Sequence, residues 1–382
     1  MRIKVIEVIS DTNIGGAGRL LYTRMSLYDK EKFEEIVLLP KGSELEELLL
    51  NIGCSVKSVG YCEDKSFDVR AIAGFYFAFK KIKPDIVNTH GCLSARIAAY
   101  LCGVPIKIYT RHCAFDQGWI VTSKFFRYIN GRVSSALSDK IIAVAHSAAQ
   151  NLYDTGIDKG GVEIIINGVS PVEKYSDDER QGIRKTLGIP SNAFVCGICA
   201  RLEDCKGIDT MLRAARKLLA MDKDYYFLIV GKGSLDVYLR DLCEALGISS
   251  RVKFLGFASD ITPYINCFDV NLNCSRGTET SSLAISEGMS IGLPCVASDW
   301  GGNPYMVRDG YNGFIFPTDD FLALARCIEK LRKNDELYKE MSANAMTRYS
   351  EELNANKMVK ETEALYCKLY DRIEESKVAD VT

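Results

Sequence analysis

The sequence predicts an α/β protein of two doubly wound parallel-sheet domains. Three observations carry that prediction. The 382 residues suffice for two domains at about 150 residues each. Short apolar runs alternate with helical patterns from end to end. Many of those runs, among them IIAVA, FLIVG and EIIIN, are apolar at nearly every position, as strands covered on both faces should be.

Taken in order, the first strands fall at 3–9, 35–39, 85–89, 105–110, 140–144 and 162–166. Helical patterns at 17–28, 69–82, 92–102 and 145–154 lie between them. Residues 167–182, NGVSPVEKYSDDERQG, are polar and broken by Pro171, which suits an interdomain linker running into a helix start. A second series of strands follows at 193–199, 225–230, 251–255, 268–273, 294–298 and 313–316, with helices at 208–221, 235–246 and 320–333. The chain closes with a long helical pattern over 350–376, whose apolar stripe is Met358, Leu365, Tyr366 and Leu369. Periodicity alone leaves open which domain that helix packs on. In open parallel sheets ligands bind beyond the carboxyl ends of the strands, so two such domains are expected to face one shared cleft.

Composition narrows the function. Apolar residues make up 47% and charged residues 26%, with a formal net charge of −2. These values exclude a disordered chain and argue against nucleic acid as the partner. No apolar run reaches the ~18 residues of a membrane span, and MRIKVIEVIS reads as a strand rather than a signal peptide. Fourteen cysteines without a secretory signal predict a cytoplasmic protein with reduced thiols. Cys196 and Cys199 form a CxxC, but on a strand they face opposite sides, so no metal site is expected there.

Three segments just after strands carry candidate chemistry. The first strand runs into DTNIGGAGRLL, where Gly15 and Gly16 would let backbone amides approach an anion at a helix start. It is no dinucleotide fingerprint, because Leu21 stands where a third glycine is needed. The plainer reading is a tight turn without a ligand. Second, Arg201 and Lys206 flank a loop after strand 193–199, where a fork and a point charge suit a diphosphate. The plainer reading is two solvated cations. Third, SRGTETSSLAISEGMSIGLP places Glu279 in a loop, Ser281 or Ser282 at a helix N-cap, and Glu287 within that helix. Its free amides suit phosphate, Glu287 suits ribose hydroxyls, and Glu279 suits a sugar ring. A capped helix with a solvated glutamate is the alternative; Gly288 and Gly292 count against it unless something packs closely there.

GGAG at 15–18, ARLxxxKG at 200–207, the two glutamates eight apart, EGMSIGLPCVASDWGGNP at 287–304, the Asn-Gly at 167–168 and DGYNGFIFP at 309–317 together resemble retaining glycosyltransferases of family 4. The resemblance covers nearly the whole chain and is most specific from Glu279 to Pro317. It implies a GT-B fold, with a domain over 1–170 for the acceptor and one over 171–349 for the nucleotide sugar. It also implies that the helix at about 350–382 returns to the first domain. By similarity, Arg201 and Lys206 hold the diphosphate, Glu287 the ribose and Glu279 the transferred sugar. The backbone at Thr280, Ser281, Ser282 and Leu283 faces the phosphates and sugar, and Gly16 closes on the phosphates. His112 is the histidine near the reacting sugar. The chain departs from the pattern at Tyr305 and Ser170, where many members carry acidic residues.

Further expectations concern the acceptor. His90 and His112 both end strands and are candidate acceptor contacts, with a structural role equally open for His90 and a polar residue satisfied at a loop start the plainer reading of His112; Arg19 and Arg111 are candidate contacts for an acceptor phosphate. Residues 70–140 hold 11 Lys and Arg against 3 acids, with aromatics interleaved at GFYFAFKKIK and WIVTSKFFRYINGR. That mix suits a lipid-linked glycan or peripheral contact with an anionic membrane face, and equally a core helix with basic outer residues. The Asp222–Asp224 pair sits in a turn before a strand, away from the motifs, and is read as solvated rather than metal-binding. No cofactor is expected: the resemblance implies a nucleotide sugar as co-substrate, and family frequency favours a UDP-sugar. A nucleotide-sugar 2-epimerase of the same architecture and a catalytically silent binding protein are the rival readings.

Overall fold

A computed structural model describes residues 2–60, 63–114 and 123–379. The chain divides into two compact units, one of Met1–Gly168 with Ala355–Thr382 and one of Val169–Asn354. The first holds β1 (Ile3–Ile9), β2 (Phe33–Pro40), β3 (Ser55–Val59), β4 (Ile86–His90), β5 (Ile106–Arg111), β6 (Lys140–Ala143) and β7 (Val162–Ile164). All pair in parallel, in the order β3-β2-β1-β4-β5-β6-β7. The second holds β8 (Phe194–Cys199), β9 (Tyr225–Val230), β10 (Val252–Gly256), β11 (Val270–Asn273), β12 (Cys295–Ser298) and β13 (Gly313–Phe316), again parallel, in the order β10-β9-β8-β11-β12-β13.

Both sheets are buried on two faces, which is why their strands read as unbroken apolar runs. β9 is buried at all of its positions. On one side of it Phe227 and Ile229 pack on Met211 and Leu218 of the helix Ile208–Leu219; on the other Leu228 packs near Ile265 and Phe268. Cys196 belongs to the first of these clusters and Cys199 to the second, so the CxxC pair straddles the sheet. In the first unit Phe75 and Phe79 of the helix Val69–Ile82 stack 6.1 Å apart and pack against Ile6, Val8 and Val87.

Two features escape the sequence reading. Edge strand β3 has only Val59 fully buried, so SVKSV carries no apolar run to betray it. The terminal pattern is broken as well: a π-helical turn over Tyr349–Leu353 precedes the helix Ala355–Ala379, which packs on the helix Gly16–Leu27 of the first unit. Among the described residues, no helix is long and apolar enough to cross a membrane.

Each strand order reverses once. β1 lies beside β4, and β8 beside β11. At such a switch point the loops leaving neighbouring strand ends diverge, opening a crevice for a ligand. The GGAG turn after β1, the ARLEDCKG turn after β8 and the SRGTET loop after β11 fall at these two points.

Candidate functional site

In the second unit the loops after β8, β11 and β12 converge. Gly207 ends the turn that follows β8 with φ +60°, and a Cβ there would lie 2.1 Å from the Cys274 carbonyl oxygen. The Arg276 and Gly277 amides donate to the Cys205 carbonyl at 2.9 and 3.3 Å. From the far side Gly301, at φ +59°, brings its backbone against the Glu279 carbonyl; its Cβ would lie 2.0 Å from that oxygen. Only glycine tolerates both the left-handed conformation and the approach. The Lys-Gly and Gly-Gly of the motifs are therefore what allows three loops to meet.

That meeting places Lys206 on Glu279. The Lys206 ammonium donates to Glu279 Oε2 at 2.7 Å, and the same oxygen accepts from Ser275 Oγ at 2.8 Å and Asn273 Nδ2 at 3.3 Å. Glu279 is buried, at 7% exposure, while Arg201 stands exposed at the start of the same β8 turn. A charge-assisted bond between partly desolvated groups fixes both side chains at the strand ends.

The helix Leu283–Ser290 begins beside this pair, with Ser282 Oγ accepting from the Ile285 amide. Thr280, Ser282 and Glu287 are buried, and Ser281 and Leu283 partly so. One expectation is corrected: the Ser282 amide donates to Met306 Sδ at 3.2 Å and does not face outward. The amides of Leu283 and Ala284 are then the ones lacking an intrahelical acceptor. The argument from Gly288 and Gly292 is also corrected, because protein fills both approaches. A Cβ on Gly288 would meet Asn271 Nδ2 at 2.6 Å, and Gly292, at φ +86°, follows the helix end against Ser342. Tyr305 is absorbed structurally, its hydroxyl on Glu352 and its ring under Arg348. Asp222 and Asp224 lie at the amino end of β9, facing Arg332.

In the first unit Gly15 caps the helix Gly16–Leu27. Neither glycine has a positive φ, and a Cβ on Gly16 would meet nothing within 4 Å. What glycine supplies here is open access to the helix N-terminus, not a special backbone conformation. Arg19 is exposed in the first turn of that helix.

The histidines form a chain. His112 Nε2 lies 2.7 Å from His90 Nδ1, with the rings stacked at 5.0 Å, and His90 Nε2 lies 2.8 Å from Glu7 Oε2. Glu7 is wholly buried. It also accepts from Arg24, from Asn88 Nδ2 at 2.9 Å and from the Tyr366 hydroxyl at 2.8 Å, while Arg24 reaches on to Glu35. Burial alone would raise the Glu7 carboxyl, but the Arg24 charge and the bonds from His90 and Tyr366 hold it below its ordinary value. Burial, only partly opposed by Arg24, together with the charge of Glu7 pushes Glu35 up to about 7. Burial first, then His90, keeps His112 well below the usual histidine value. A cavity of about 40 Å³ borders this network, lined by Leu20, Arg24, His90, His112, Asn167 and Thr362 among others.

Two acceptor expectations change accordingly. His90 is buried between Glu7 and His112 and stands behind the surface rather than on it. The Arg111 fork is committed to the Tyr109 hydroxyl, the Cys113 carbonyl and Asn151. Sequence reasoning missed Glu7, Arg24, Glu35, Asn88 and Tyr366; the signal available was Glu7 within IKVIEVI and Glu35, beside Glu34, in FEEIVLLP, two mostly apolar strands. On the basic face, the helix Lys124–Leu137 exposes Phe125, Tyr128, Ile129 and Val133 beside Lys124, Arg127 and Arg132. The aromatic segment called from the sequence begins at Trp119, and its residues 119–122 lie outside the described residues.

Comparison with known proteins bears on family and fold. The family described as "Glycosyltransferase Family 4" matches residues 14–173, and that described as "Glycosyl transferases group 1" matches residues 179–348. An Escherichia coli UDP-Gal:alpha-D-GlcNAc-diphosphoundecaprenol alpha-1,3-galactosyltransferase is 26% identical over 385 residues, covering 96% of this chain and 97% of its own. A Bacillus anthracis N-acetyl-alpha-D-glucosaminyl L-malate synthase is 23% identical, covering 99% of each. The crystal structure of Anabaena HepE in complex with UDP and glucose matches with a TM-score of 0.83 at 20% identity, over 96% of this chain and 100% of that one. This last likeness is one of fold, and the fold is GT-B.

Proposed function

The chain belongs to glycosyltransferase family 4, and from that premise we propose that it is a retaining transferase moving a sugar from a UDP-sugar to a glycan or lipid-linked glycan. The observation that carries this reading is the Lys206–Glu279 pair at the β8/β11 switch point, beside the N-terminus of the helix Leu283–Ser290. Within one loop cluster, a cation and helix amides without intrahelical acceptors suit a diphosphate, and an acidic group suits the hydroxyls of the attached sugar.

In this reading Arg201 and Lys206 take the diphosphate, the amides at Leu283 and Ala284 assist, and Glu287 takes the ribose. Glu279 accepts hydrogen bonds from hydroxyls of the transferred sugar. As the bond from the anomeric carbon to phosphate oxygen breaks, charge grows on that oxygen and Lys206 stabilises it. The acceptor oxygen bonds to the anomeric carbon on the face the phosphate leaves, and its proton passes to the departing phosphate oxygen. Configuration is retained and no separate protein base is needed. The two cations do the work that a metal ion would otherwise supply. In this reading the helix start at Gly15 and Gly16 takes donor phosphate, Arg19 takes the acceptor, and His112 takes the reacting sugar and acceptor. The exposed aromatic and basic face of the helix Lys124–Leu137 supports a lipid-linked acceptor, with peripheral contact at an anionic membrane surface.

A thermal-shift screen of nucleotide sugars tests the reading. A UDP-sugar held at 100-fold over its Kd contributes about 2.7 kcal/mol to the folded state. A rise in Tm with one UDP-sugar and with UDP is expected; no response to any nucleotide sugar would favour a silent binding protein. A donor epimerised without acceptor would favour the isomerase.

A further inference from the structure

We propose that Glu7 and His90 are positioning residues that hold His112 with its hydrogen on Nε2, leaving the Nδ1 lone pair as an acceptor for a substrate hydroxyl. This rests on the placement of His112 near the reacting sugar; the hydrogen-bond order itself rests on geometry alone.

The order starts at Glu7. Its two oxygens receive bonds from Arg24, Tyr366, Asn88 and His90, so the carboxylate is an acceptor in every direction. Asn88 is fixed in turn, because its Oδ1 accepts from Thr110 Oγ1 at 2.8 Å, which leaves its amide nitrogen to donate. His90 Nε2 must therefore carry a hydrogen to make its 2.8 Å contact with Glu7. A neutral His90 then has a bare Nδ1, and the 2.7 Å contact with His112 requires the hydrogen to sit on His112 Nε2. Neutral His112 is left with a bare Nδ1. That atom is buried and has no hydrogen-bond partner among the described residues. An acceptor prepared by two successive bonds and left without a donor is costly in a resting fold. A sugar hydroxyl is a group able to satisfy it. The contributing residues come from β1, β4 and the end of β5, so a rigid sheet sets the position of the ring.

The sequence holds only three histidines, so ¹⁵N-histidine spectra of the full chain are readily assigned, with His112→Gln identifying its signals. The expected wild-type spectrum shows His112 with a protonated Nε2 and an unprotonated Nδ1. His90→Leu should release the ring into a mixture of tautomers and lower kcat roughly ten-fold or more, with little change in donor KM. His90→Asn places an amide oxygen where Nδ1 stood and should recover most of that loss. A hydrogen on Nδ1 in the wild type, or equal kcat for the Leu and Asn variants, would overturn the proposal. If His90→Leu does not fold, the wild-type spectrum decides. A wild-type chain that converts no nucleotide sugar contradicts the transfer reading instead, and the tautomer is still read from the spectra.

Discussion

The two switch points are built in opposite ways. In the second unit the reactive groups come from short contiguous segments, 201–207, 275–287 and 301–302, and glycines bring the loops together. In the first unit the groups come from residues 7, 24, 35, 88, 90, 112 and 366, and a buried charge network brings them together. Tyr366 bonds to Glu7 across 359 residues of sequence. The contrast teaches that one site is held by backbone packing, whereas the other is held by its charges. Substitution of a charge should then cost activity in the second unit and stability in the first.

The largest effect tests the second unit. Lys206→Ala removes the cation proposed to stabilise the leaving phosphate, and kcat should fall by about 10²–10³-fold. Tm should move little, since the lost pair is only partly buried and Glu279 keeps Ser275 and Asn273. Steady-state kinetics with calorimetry checks both; near-normal turnover would break the comparison. The next effect tests the first unit. Arg24→Met leaves Glu7 and Glu35 buried without their shared cation, which should cost about 3–5 kcal/mol and lower Tm by about 10 °C. An unchanged melting curve would show that the network is not structural.

A smaller effect is read by pH. The Glu35 carboxyl sits above its unfolded value, so its contribution to stability is present at low pH and is lost as pH rises through about 7. Glu35→Gln cannot ionise. Its stability relative to wild type should therefore grow between about pH 4.5 and pH 7 and level off above that. A difference that stays constant with pH would remove Glu35 from the account.

The same contrast decides what could be read from sequence. The second-unit strands lie within two residues of their predicted starts, because each is an apolar run closed by a turn. Its site was legible because ARLEDCKG and SRGTET are local motifs. In the first unit β3 was invisible, as an edge strand with one fully buried side chain. Glu7 and Glu35 stood in plain view inside apolar strands, yet no spacing rule links them to Arg24 or Tyr366. Tyr366 did read correctly as part of an apolar stripe; its ring packs edge-on to Phe33, and only the hydroxyl's partner was hidden. His90 read equally as an acceptor contact or a structural residue, because a strand end does not reveal what stands behind it. The Ser282 amide likewise read as outward-facing, because Met306 approaches from 24 residues away.

The most direct measurement is product analysis by mass spectrometry. The chain is incubated with a UDP-sugar panel and a lipid-diphosphate-linked glycan, with and without EDTA. The account predicts free UDP and an acceptor lengthened by one sugar in the same anomeric configuration as the donor, unaffected by the chelator. Inverted product, loss of transfer with EDTA, or an altered donor formed without acceptor would contradict it.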